Sequence, residues 1–380
     1  MKVLFPIGTI FPSQQGGPSN TVYWMAKALN TEGVEVTIIS TNLGIDLNTI
    51  ASNKWIDTNY GQVIYTSEWF HSLPLRLIFL SLKKLKEADI VHLTSIFYPP
   101  SWILAPIALL QGKKIIWSVR GNFEESALKI ASWKKRPIIW LINQFLKKKT
   151  VFHTTSPLET QNTQNILGKD TLICEIPNYL ELPSPILKNI DKKYFLYVGR
   201  LHPIKAIDNL IEALALSNKF LKSEFVLSIV GDNDSDYARS LLDLTTKLNL
   251  SDKVQFLGHL ENDEKQEIYA HAYFSFLMSH SENFGNVVIE SLAQGTPVVA
   301  SQGTPWQILE KQNAGFWIDN SPQSIAATID KILSIDIQDY KSMVNNAQEL
   351  AREQFDINKN IGKWIDIYSK ILKNDDKKFN

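Results

Sequence analysis

A chain of 380 residues exceeds one ordinary compact core and fits two domains of about 150 to 200 residues each. The apolar fraction of 44% and the charged fraction of 21% are typical of a soluble globular protein and argue against general disorder. Basic and acidic residues both number 39, so no global charge favours nucleic acid or an anionic surface. Any basic site must therefore be local, and two domains predict a cleft.

Cysteine use and hydropathy bear on the compartment. The single cysteine, Cys174, cannot form an internal disulfide, and the opening MKVLFP reaches Pro6 and Gly8 before a signal-peptide apolar core could form. Apolar runs such as LPLRLIFLSL stay far below the roughly 20 residues of a membrane helix. We therefore expect a cytoplasmic protein that does not span a membrane.

Strand-like and helix-like segments alternate along the first half of the chain. KVLFPI is typical of a buried strand, NTVYWMAKALNTEG of an amphipathic helix, and VEVTIIST, ADIVHLTS and KKIIWSV of further strands. This alternation predicts a doubly wound α/β domain with a parallel sheet.

A proline-rich stretch then interrupts the pattern, with Pro177, Pro183 and Pro185 in residues 176–193. A second alternating series begins at YFLYVGR and continues to TPVVAS. We predict a first domain at 1–180, a linker at 181–193 and a second domain at 194–357. A helix at about 358–375 is expected to cross back to the first domain.

Ligands of such domains bind at the carboxyl ends of the strands, and YVGRLHPIK contains two cations there. Arg200 follows a strand and Lys205 begins a helix, so a guanidinium fork, an ammonium and helix amides would suit a diphosphate. Taken alone, the pair is more often two solvated loop cations.

Two acids separated by seven residues stand in SENFGNVVIESLAQGTPVVAS. Glu282 is predicted in a loop after a strand, where it can accept hydrogen bonds from sugar hydroxyls, whereas Glu290 lies in the next helix and can bind a ribose diol. The amides of Phe284, Gly285 and Asn286 can face an anion or a sugar. An isolated pair at this spacing would more often be a helix-dipole partner and a polar helix face.

In this order, YVGRL, IVGD, VQFLGHL and SENFGNVVIESLAQGTPVVAS strongly resemble the retaining glycosyltransferase family 4, of the type used in bacterial surface polysaccharide synthesis. Glycines 16 and 17, DIVHLTSIFYPPSWILAPIA and IIWSVRGNFEESALKIASWKKR extend the likeness over nearly the whole chain. The resemblance implies a GT-B fold, with two Rossmann-like domains facing a cleft.

It also implies an activity and a site. A sugar would pass from a nucleotide diphosphate sugar, with UDP or GDP as the nucleotide, to a glycan acceptor carried on a lipid, with neither cofactor nor metal. The catalytic residues implied are Glu282, Arg200 and Lys205. The donor-binding residues implied are Gly16, Gly17, Phe284, Gly285, Asn286 and Glu290.

This chain departs from the family pattern at three positions. Many members carry a histidine where SVRGNF places Arg120, to which we assign an acceptor or sugar contact. Ala206 stands for the common glycine after Lys205, and Asn286 for a frequent aliphatic residue.

Competing interpretations are weaker. GDNDSD resembles a metal loop, but Tyr237 and Asp243 stand where a calcium loop needs Gly and Glu, and acidic loops commonly cap helices. No zinc spacing is present, and His280 is expected to be a neighbour of the site. PIGTIFPSQQGGPSN lacks the dinucleotide turn, which disfavours a dehydrogenase. A GT-B UDP-sugar 2-epimerase and a non-catalytic sugar-nucleotide sensor remain as alternatives.

Residues 128–149, LKIASWKKRPIIWLINQFLKKK, concentrate lysines and aromatic residues in a chain of zero net charge. This composition suits peripheral contact with an anionic membrane, where aromatics lie at the headgroup boundary. It equally suits an amphipathic helix that packs on the first sheet with solvated lysines.

Overall fold

The computed structural model describes residues 1–13, 17–189, 191–260 and 262–373. The chain divides into two compact units. The first contains residues 1–181 together with the C-terminal helix that begins at Ile357, and the second contains Leu182–Asp356. Within the described residues, no helix combines the length and the apolarity needed to cross a bilayer.

The first unit is built on an eight-stranded sheet in the order β3-β4-β2-β1-β5-β6-β7-β8, in which only β3 runs antiparallel to its neighbour. Its central strands are buried on both faces, which explains their continuous apolar runs. The strands are β1 (Lys2–Ile7), β2 (Glu35–Thr41), β3 (Trp55–Thr58), β4 (Gly61–Thr66), β5 (Ile90–Thr94), β6 (Lys114–Ser118), β7 (Thr150–Thr154) and β8 (Ile173–Glu175).

Helices cover both faces of this sheet. The α-helices are α1 (Gly17–Thr31), α2 (Leu75–Lys84), α3 (Pro99–Leu110), α4 (Glu125–Lys129), α5 (Ser132–Leu141) and α6 (Pro157–Leu167), with a π-helical turn at Ile142–Leu146 and a 3₁₀ turn at Lys147–Lys149. One face packs against α1 and the C-terminal helix, and the other packs against α2, α3 and the segment after α4.

The second unit has a six-stranded parallel sheet in the order β11-β10-β9-β12-β13-β14. Numbered within the unit, this is the 3-2-1-4-5-6 order of a Rossmann fold. The strands are β9 (Tyr194–Val198), β10 (Val226–Val230), β11 (Val254–Gly258), β12 (Phe274–Leu277), β13 (Val298–Ser301) and β14 (Gly315–Ile318). Both sheets agree with the predicted doubly wound α/β class.

Helices of the second unit alternate with its strands as the sequence pattern predicts, and Ser235 and Asp336 cap two of them through side-chain oxygens. They are α7 (Ile207–Leu216), α8 (Asn218–Lys222), α9 (Asp236–Lys247), α10 (Asn262–His271), α11 (Asn286–Ala293), α12 (Ile308–Lys311), α13 (Pro322–Ile332) and α14 (Ile337–Gln354). The last helix, α15 (Ile357–Leu372), belongs to the first unit.

A buried chain of hydrogen bonds ties α15 to the first sheet. The hydroxyl of Tyr368 lies 2.8 Å from Nδ1 of His92, whose Nε2 lies 2.8 Å from Oγ of Ser118. Oγ of Ser118 lies 2.8 Å from Nδ1 of His153, and Nε2 of His153 lies 2.8 Å from the carbonyl oxygen of Ile176.

The carbonyl at the end of this chain fixes the direction of every bond in it. A carbonyl can only accept, so His153 donates through Nε2 and accepts from Ser118 through Nδ1. Ser118 then accepts from Nε2 of His92, and Nδ1 of His92 accepts from Tyr368. Each histidine is thus neutral in a defined tautomer, and burial lowers the pKa of His92 well below its ordinary value and that of His153 to about 3.

We expect the first unit to lose stability as the pH falls from about 6.5 towards 4. The folded state keeps both histidines neutral, whereas the unfolded state takes up protons below its ordinary histidine pKa, so acid favours unfolding. Each histidine contributes a slope of up to about 1.4 kcal/mol per pH unit. The measurement is the free energy of unfolding by urea at several pH values.

Replacing one histidine isolates its share of this slope. His153→Gln should lower stability at neutral pH and flatten the acid slope, whereas His280→Gln, at an exposed position of the second unit, should leave the slope unchanged. An equal slope in wild type and His153→Gln would show that His153 does not titrate on unfolding.

Candidate active site

The order of the second sheet defines where a ligand would bind. The chain passes from β9 to β10 on one side of the sheet and from β12 to β13 on the other, so the crevice outside the carboxyl ends of β9 and β12 is the topological switch point. Arg200 and Lys205 follow β9, and Glu282 follows β12. All three predicted catalytic residues therefore lie on the two loops that flank this crevice.

Lys205 and Glu282 form an ion pair between these two loops. Their side chains are only 16% and 18% exposed, so the two charges are largely withdrawn from water. Removing either partner would leave the other charge poorly solvated, which is costly. Arg200, by contrast, is exposed to solvent. The site thus combines a largely buried ammonium–carboxylate pair with the solvent-exposed guanidinium of Arg200, which lies on the same loop as Lys205.

Main-chain and tyrosine hydrogen bonds hold the two loops in place. The amide of His280 donates to the carbonyl of Ile204 at 2.8 Å, and the amide of Glu282 donates to the carbonyl of Gly303 at 3.0 Å. The hydroxyl of the buried Tyr197 donates to the carbonyl of Arg200 at 3.0 Å. Burial raises the pKa of Tyr197, so it stays protonated and donates. These hydrogen bonds within the protein therefore fix the conformations of the loops after β9 and β12.

The turn before α11 depends on glycine. Gly285 precedes the helix with φ 83°, and a Cβ there would lie 2.7 Å from Cδ2 of Leu277 and 3.3 Å from Cγ of Glu282. Phe284 is buried against Trp306, whose indole NH donates to the carbonyl of Phe284 at 2.5 Å. Asn286 is the first residue of α11. The predicted Phe-Gly-Asn segment therefore forms the start of a helix beside Glu282.

Glu290 lies on α11 and contacts two side chains of α10. One of its carboxylate oxygens, Oε2, lies 2.8 Å from the ammonium of Lys265 and accepts from the hydroxyl of Tyr269 at 3.0 Å. Tyr269 is 2% exposed, and burial keeps its pKa well above the ordinary value, so its hydroxyl remains a donor. Both contacts engage the same oxygen, and together they fix the orientation of the carboxylate.

The two glycines assigned to donor binding are described only in part. Gly16 lies outside the described residues. Gly17 is the first residue of α1, and its carbonyl accepts from the hydroxyl of Thr21 at 2.9 Å. Apart from its chain neighbours and the backbone of its own helix, no atom of the described residues lies within 4 Å of the place a Cβ would take at Gly17. Close approach of a ligand to these glycines remains a prediction.

Arg120 lies after β6 in a left-handed conformation, with φ 56°. Its Nη1 donates to Oδ1 of Asn178 at 2.6 Å, and the buried carboxylate of Glu159 accepts from the amide of the next residue, Gly121, at 2.5 Å. Burial lowers the pKa of Arg120 to about 10, so it stays charged at neutral pH. The contact of Arg120 with acceptor or sugar remains a prediction.

The rest of the Arg120 guanidinium is shielded from solvent. Nε and Nη2 have no hydrogen-bond partner among the residues that the structure describes. Arg120 lines a cavity of about 10 Å³, together with Met25 of α1 and Trp364 of α15. That volume is about the size of one water molecule. In this conformation the side chain faces the interior of the first unit.

The acidic loop after β10 leads into α9, whose cap is the hydroxyl of Ser235 and not an aspartate. Oδ1 of Asp232 accepts from the amide of Asp234 at 3.1 Å, and Asp236 pairs with Arg239 on α9. Among the described residues, no three His, Cys, Asp or Glu side chains are grouped so that they could hold a metal ion. His280 contacts Asn320, with 2.9 Å between Nδ1 and Nδ2.

Family models match both units of the chain. The model described as Glycosyltransferase Family 4 matches residues 15–182, and the model described as Glycosyl transferases group 1 matches residues 180–350. The two matches meet where the structure divides into its two units. Each unit is therefore similar to a glycosyltransferase domain, and the two matches together extend from residue 15 to residue 350.

Curated relatives are similar over part of the chain. An uncharacterized glycosyltransferase, MJ1607 of Methanocaldococcus jannaschii, is 33% identical over 47% of this chain and 45% of its own length. The O-antigen chain mannosyltransferase RfbU of Salmonella typhimurium is 32% identical over 51% of this chain and 52% of its own length. A D-inositol 3-phosphate glycosyltransferase of Acidothermus cellulolyticus is 34% identical over 38% and 34%. The matches thus span about half of these relatives or less.

Solved structures share the fold over nearly the whole chain. Sucrose-phosphate synthase of Thermosynechococcus elongatus aligns with a TM-score of 0.75 and 20% identity, covering 98% of this chain and 99% of the other. Anabaena HepE in complex with UDP-glucose aligns with a TM-score of 0.72 and 19% identity, covering 97% and 100%. WaaG, a glycosyltransferase involved in lipopolysaccharide biosynthesis, aligns with a TM-score of 0.62 and 17% identity, covering 97% and 100%. The predicted GT-B fold is confirmed.

The partners of Glu290 were not anticipated from the sequence. Lys265 and Tyr269 are four residues apart, which places them on one face of α10. That spacing was a usable signal for a paired contact. It does not reveal which acid the pair would meet, because α10 and α11 are joined through an intervening strand.

We expect Gly285→Ala to destabilise the second unit more than Gly258→Ala. Both glycines have left-handed φ angles, 83° and 74°, so both variants carry the backbone cost of about 1 kcal/mol. Only at Gly285 does the added methyl group also meet Leu277 and Glu282, and such overpacking typically adds about 1 to 3 kcal/mol. Calorimetric unfolding of the two variants measures the difference. Equal losses would show that the turn relaxes freely around the methyl group.

Proposed function

We propose that this chain is a retaining glycosyltransferase, specifically a hexosyltransferase. It would transfer a sugar from a UDP- or GDP-linked donor to a glycan acceptor, carried on a lipid, in bacterial surface polysaccharide synthesis. The observation that carries the proposal is the Lys205–Glu282 pair at the switch point of a glycosyltransferase domain, with Arg200 on the same loop. Similarity to the O-antigen chain mannosyltransferase RfbU, to WaaG and to HepE, which was solved with UDP-glucose, supports the choice of substrates.

The chemistry assigned to the site is electrostatic. In transfer with retention, the acceptor hydroxyl bonds to the anomeric carbon on the face from which the diphosphate leaves, and its proton passes to the departing phosphate oxygen. The bond from the anomeric carbon to that oxygen breaks with its electron pair, so negative charge grows on the phosphate during the reaction. Arg200, Lys205 and the amides at the start of α11 would stabilise that charge, and no metal would be required. Glu282 is paired with Lys205 in this structure. When the diphosphate binds the ammonium of Lys205 in its place, the carboxylate of Glu282 would be released to orient the sugar hydroxyls.

The carboxylate of Glu290 would bind the ribose diol of the donor. Lys265 and Tyr269 both engage Oε2, so Oε1 would make this contact. Tyr269 would thus act as a positioning residue: it holds the carboxylate in one orientation before the donor arrives, which reduces the ordering cost of binding.

The acceptor is assigned to the first unit, where Arg120 lies. We propose that the protein works in the cytoplasm, with peripheral contact at the inner face of the cell membrane through residues 128–149. The exposed rings of Trp133 and Trp140, at 71% and 59%, support that contact. Lys147 takes no part in it, because its ammonium donates to the carbonyl of Leu167 and pairs with Asp170, each at 2.8 Å.

A panel of nucleotide sugars tests the reaction class. Purified protein would be incubated with each UDP- and GDP-sugar, with and without a lipid-linked acceptor. Transfer, or slow hydrolysis of one donor, supports the transferase. Conversion of the donor to an epimer would identify a UDP-sugar 2-epimerase instead, and binding without turnover would identify a sensor.

We expect Lys205→Ala to lower turnover about a hundredfold, equivalent to roughly 3 kcal/mol of transition-state stabilisation. The ammonium stabilises charge that grows during the reaction, so kcat should fall more than donor affinity. Lys193→Ala, which removes an exposed ion pair with Glu224, is the matched control and should retain activity. Activity should also survive EDTA. Full turnover by Lys205→Ala, or its abolition by chelation, contradicts the metal-independent mechanism.

The two acids should differ in kinetic effect. Glu290→Ala should chiefly raise the donor KM, because ribose contacts exist in the ground and transition states alike, whereas Glu282→Ala should lower kcat. Tyr269→Phe should raise the donor KM less than Glu290→Ala does. Tyr340→Phe, which removes another buried hydroxyl that donates to the carbonyl of Tyr273 at 2.9 Å, is its control. Identical kinetic profiles for the Glu282 and Glu290 variants would remove their separate roles.

A further inference from the structure

Three helical segments of the first unit lie side by side on one face of its sheet. They are α2, α3 and residues 132–149, which contain α5 and the two turns that follow it. Their inward side chains share one core, which includes Leu77 of α2, Leu104 of α3 and Ile142 of the π-helical turn. We call their combined outward surface the outer helical face.

The outer helical face exposes large apolar side chains on every segment. Phe79 of α2 is 55% exposed and Leu110 of α3 is 88% exposed, while Trp140 and Phe145 of the third segment are 59% and 63% exposed and in edge-to-face contact. Helix α3 has no charged residue at all, although Trp102 and several other residues are only partly buried. An ordinary solvated helix would carry polar residues at those positions.

The charge of this face is one-sided. Residues 75–84, 99–110 and 132–149 contain no Asp or Glu, and they contain nine Lys and Arg residues in a chain with zero net charge. Three of these cations are engaged by acceptors of the first unit: Lys84 by Glu87, Lys135 by the carbonyl of Ala127, and Lys147 by Asp170. The six at exposed positions are Arg76, Lys83, Lys134, Arg136, Lys148 and Lys149.

This combination fits one kind of partner. Aromatic rings settle at the headgroup boundary of a bilayer, and neighbouring lysines and arginines attract anionic lipids. A stable protein interface would instead be depleted in lysine at its centre. We propose that the whole outer helical face, including α2 and α3, docks on an anionic phospholipid bilayer. The inference extends the proposed membrane contact of residues 128–149 to two further helices, and it does not require the transferase activity.

Vesicle binding by paired variants tests this extension. The probe is co-sedimentation with phosphatidylcholine vesicles, with or without 30% phosphatidylglycerol, at low and high salt. One variant, Phe79→Ser with Lys83→Gln, changes α2, where the ammonium of Lys83 lies 4.4 Å from the ring centroid of Phe79. Another, Trp140→Ser with Lys148→Gln, changes the third segment. The matched control is Leu242→Ser with Lys247→Gln at exposed positions of α9.

We expect salt-sensitive wild-type binding only to the anionic vesicles. Each lost cation near the surface should weaken binding about fivefold, the change that corresponds to roughly 1 kcal/mol, and loss of the ring should add to it. The α2 variant and the third-segment variant should therefore both bind at least fivefold more weakly, while the α9 variant binds like wild type. Circular dichroism and donor hydrolysis should be unchanged in all of them.

Other results would overturn the inference. Wild-type binding by the α2 variant, with loss in the third-segment variant, would confine the contact to residues 128–149. Failure of wild type to bind at low salt, or binding that ignores lipid charge, would exclude an anionic bilayer. Light scattering that shows a dimer dissociated by the α2 variant would assign the face to a second copy. Vesicle binding without donor turnover would leave this inference standing and overturn the proposed function.

Discussion

The ion pair between Lys205 and Glu282 is the contact around which the second unit's candidate site is arranged. It joins the loop after β9 to the loop after β12, the two strands at the switch point of the sheet. Neither charge is well solvated, so each depends on the other until a ligand replaces it. A diphosphate is the kind of ligand that can do so, because it offers the ammonium a stronger anion and releases the carboxylate to accept from hydroxyls.

The alternation of strands and helices was predictable because parallel sheets bury both faces and leave continuous apolar runs. β1 and the strand at Tyr194–Val198 begin at the residues the pattern indicates. Other elements gave weak signals. The antiparallel β3 is an edge strand whose residues alternate between exposed and half-buried positions, and α14 has a mostly polar sequence with a narrow apolar stripe. Short edge strands and narrow stripes fall below what periodicity can separate from loops.

The loops of the candidate site followed from the strand order, but their contacts did not. Spacing places Glu290 on a helix, yet only the fold brings α10 beside it and so supplies Lys265 and Tyr269. Lys147 shows the opposite case. It belongs to a run of three lysines that the sequence alone cannot distinguish. Its contacts at the end of α6 withdraw it from solvent. Pairing partners far apart in sequence are settled by tertiary packing.

Two of the non-glycine residues in left-handed conformations lie in the loops after β9 and β6. Ala206, where the resembling family commonly has glycine, has φ 48° and is fully buried, and Arg120 has φ 56°. Such residues cost about 1 to 2 kcal/mol each, and they persist only where the surrounding structure holds them. Hydrogen bonds hold the backbone at both places. The amide of Ala206 donates to the carbonyl of Pro203 at 3.0 Å, and the amide of Gly121, next to Arg120, donates to the carboxylate of Glu159. At Ala206 the strained turn sets the direction in which Lys205 leaves the chain. The backbone strain at Ala206 therefore lies next to Lys205 in the chain. A different turn there would move the ammonium of Lys205 and break its ion pair with Glu282.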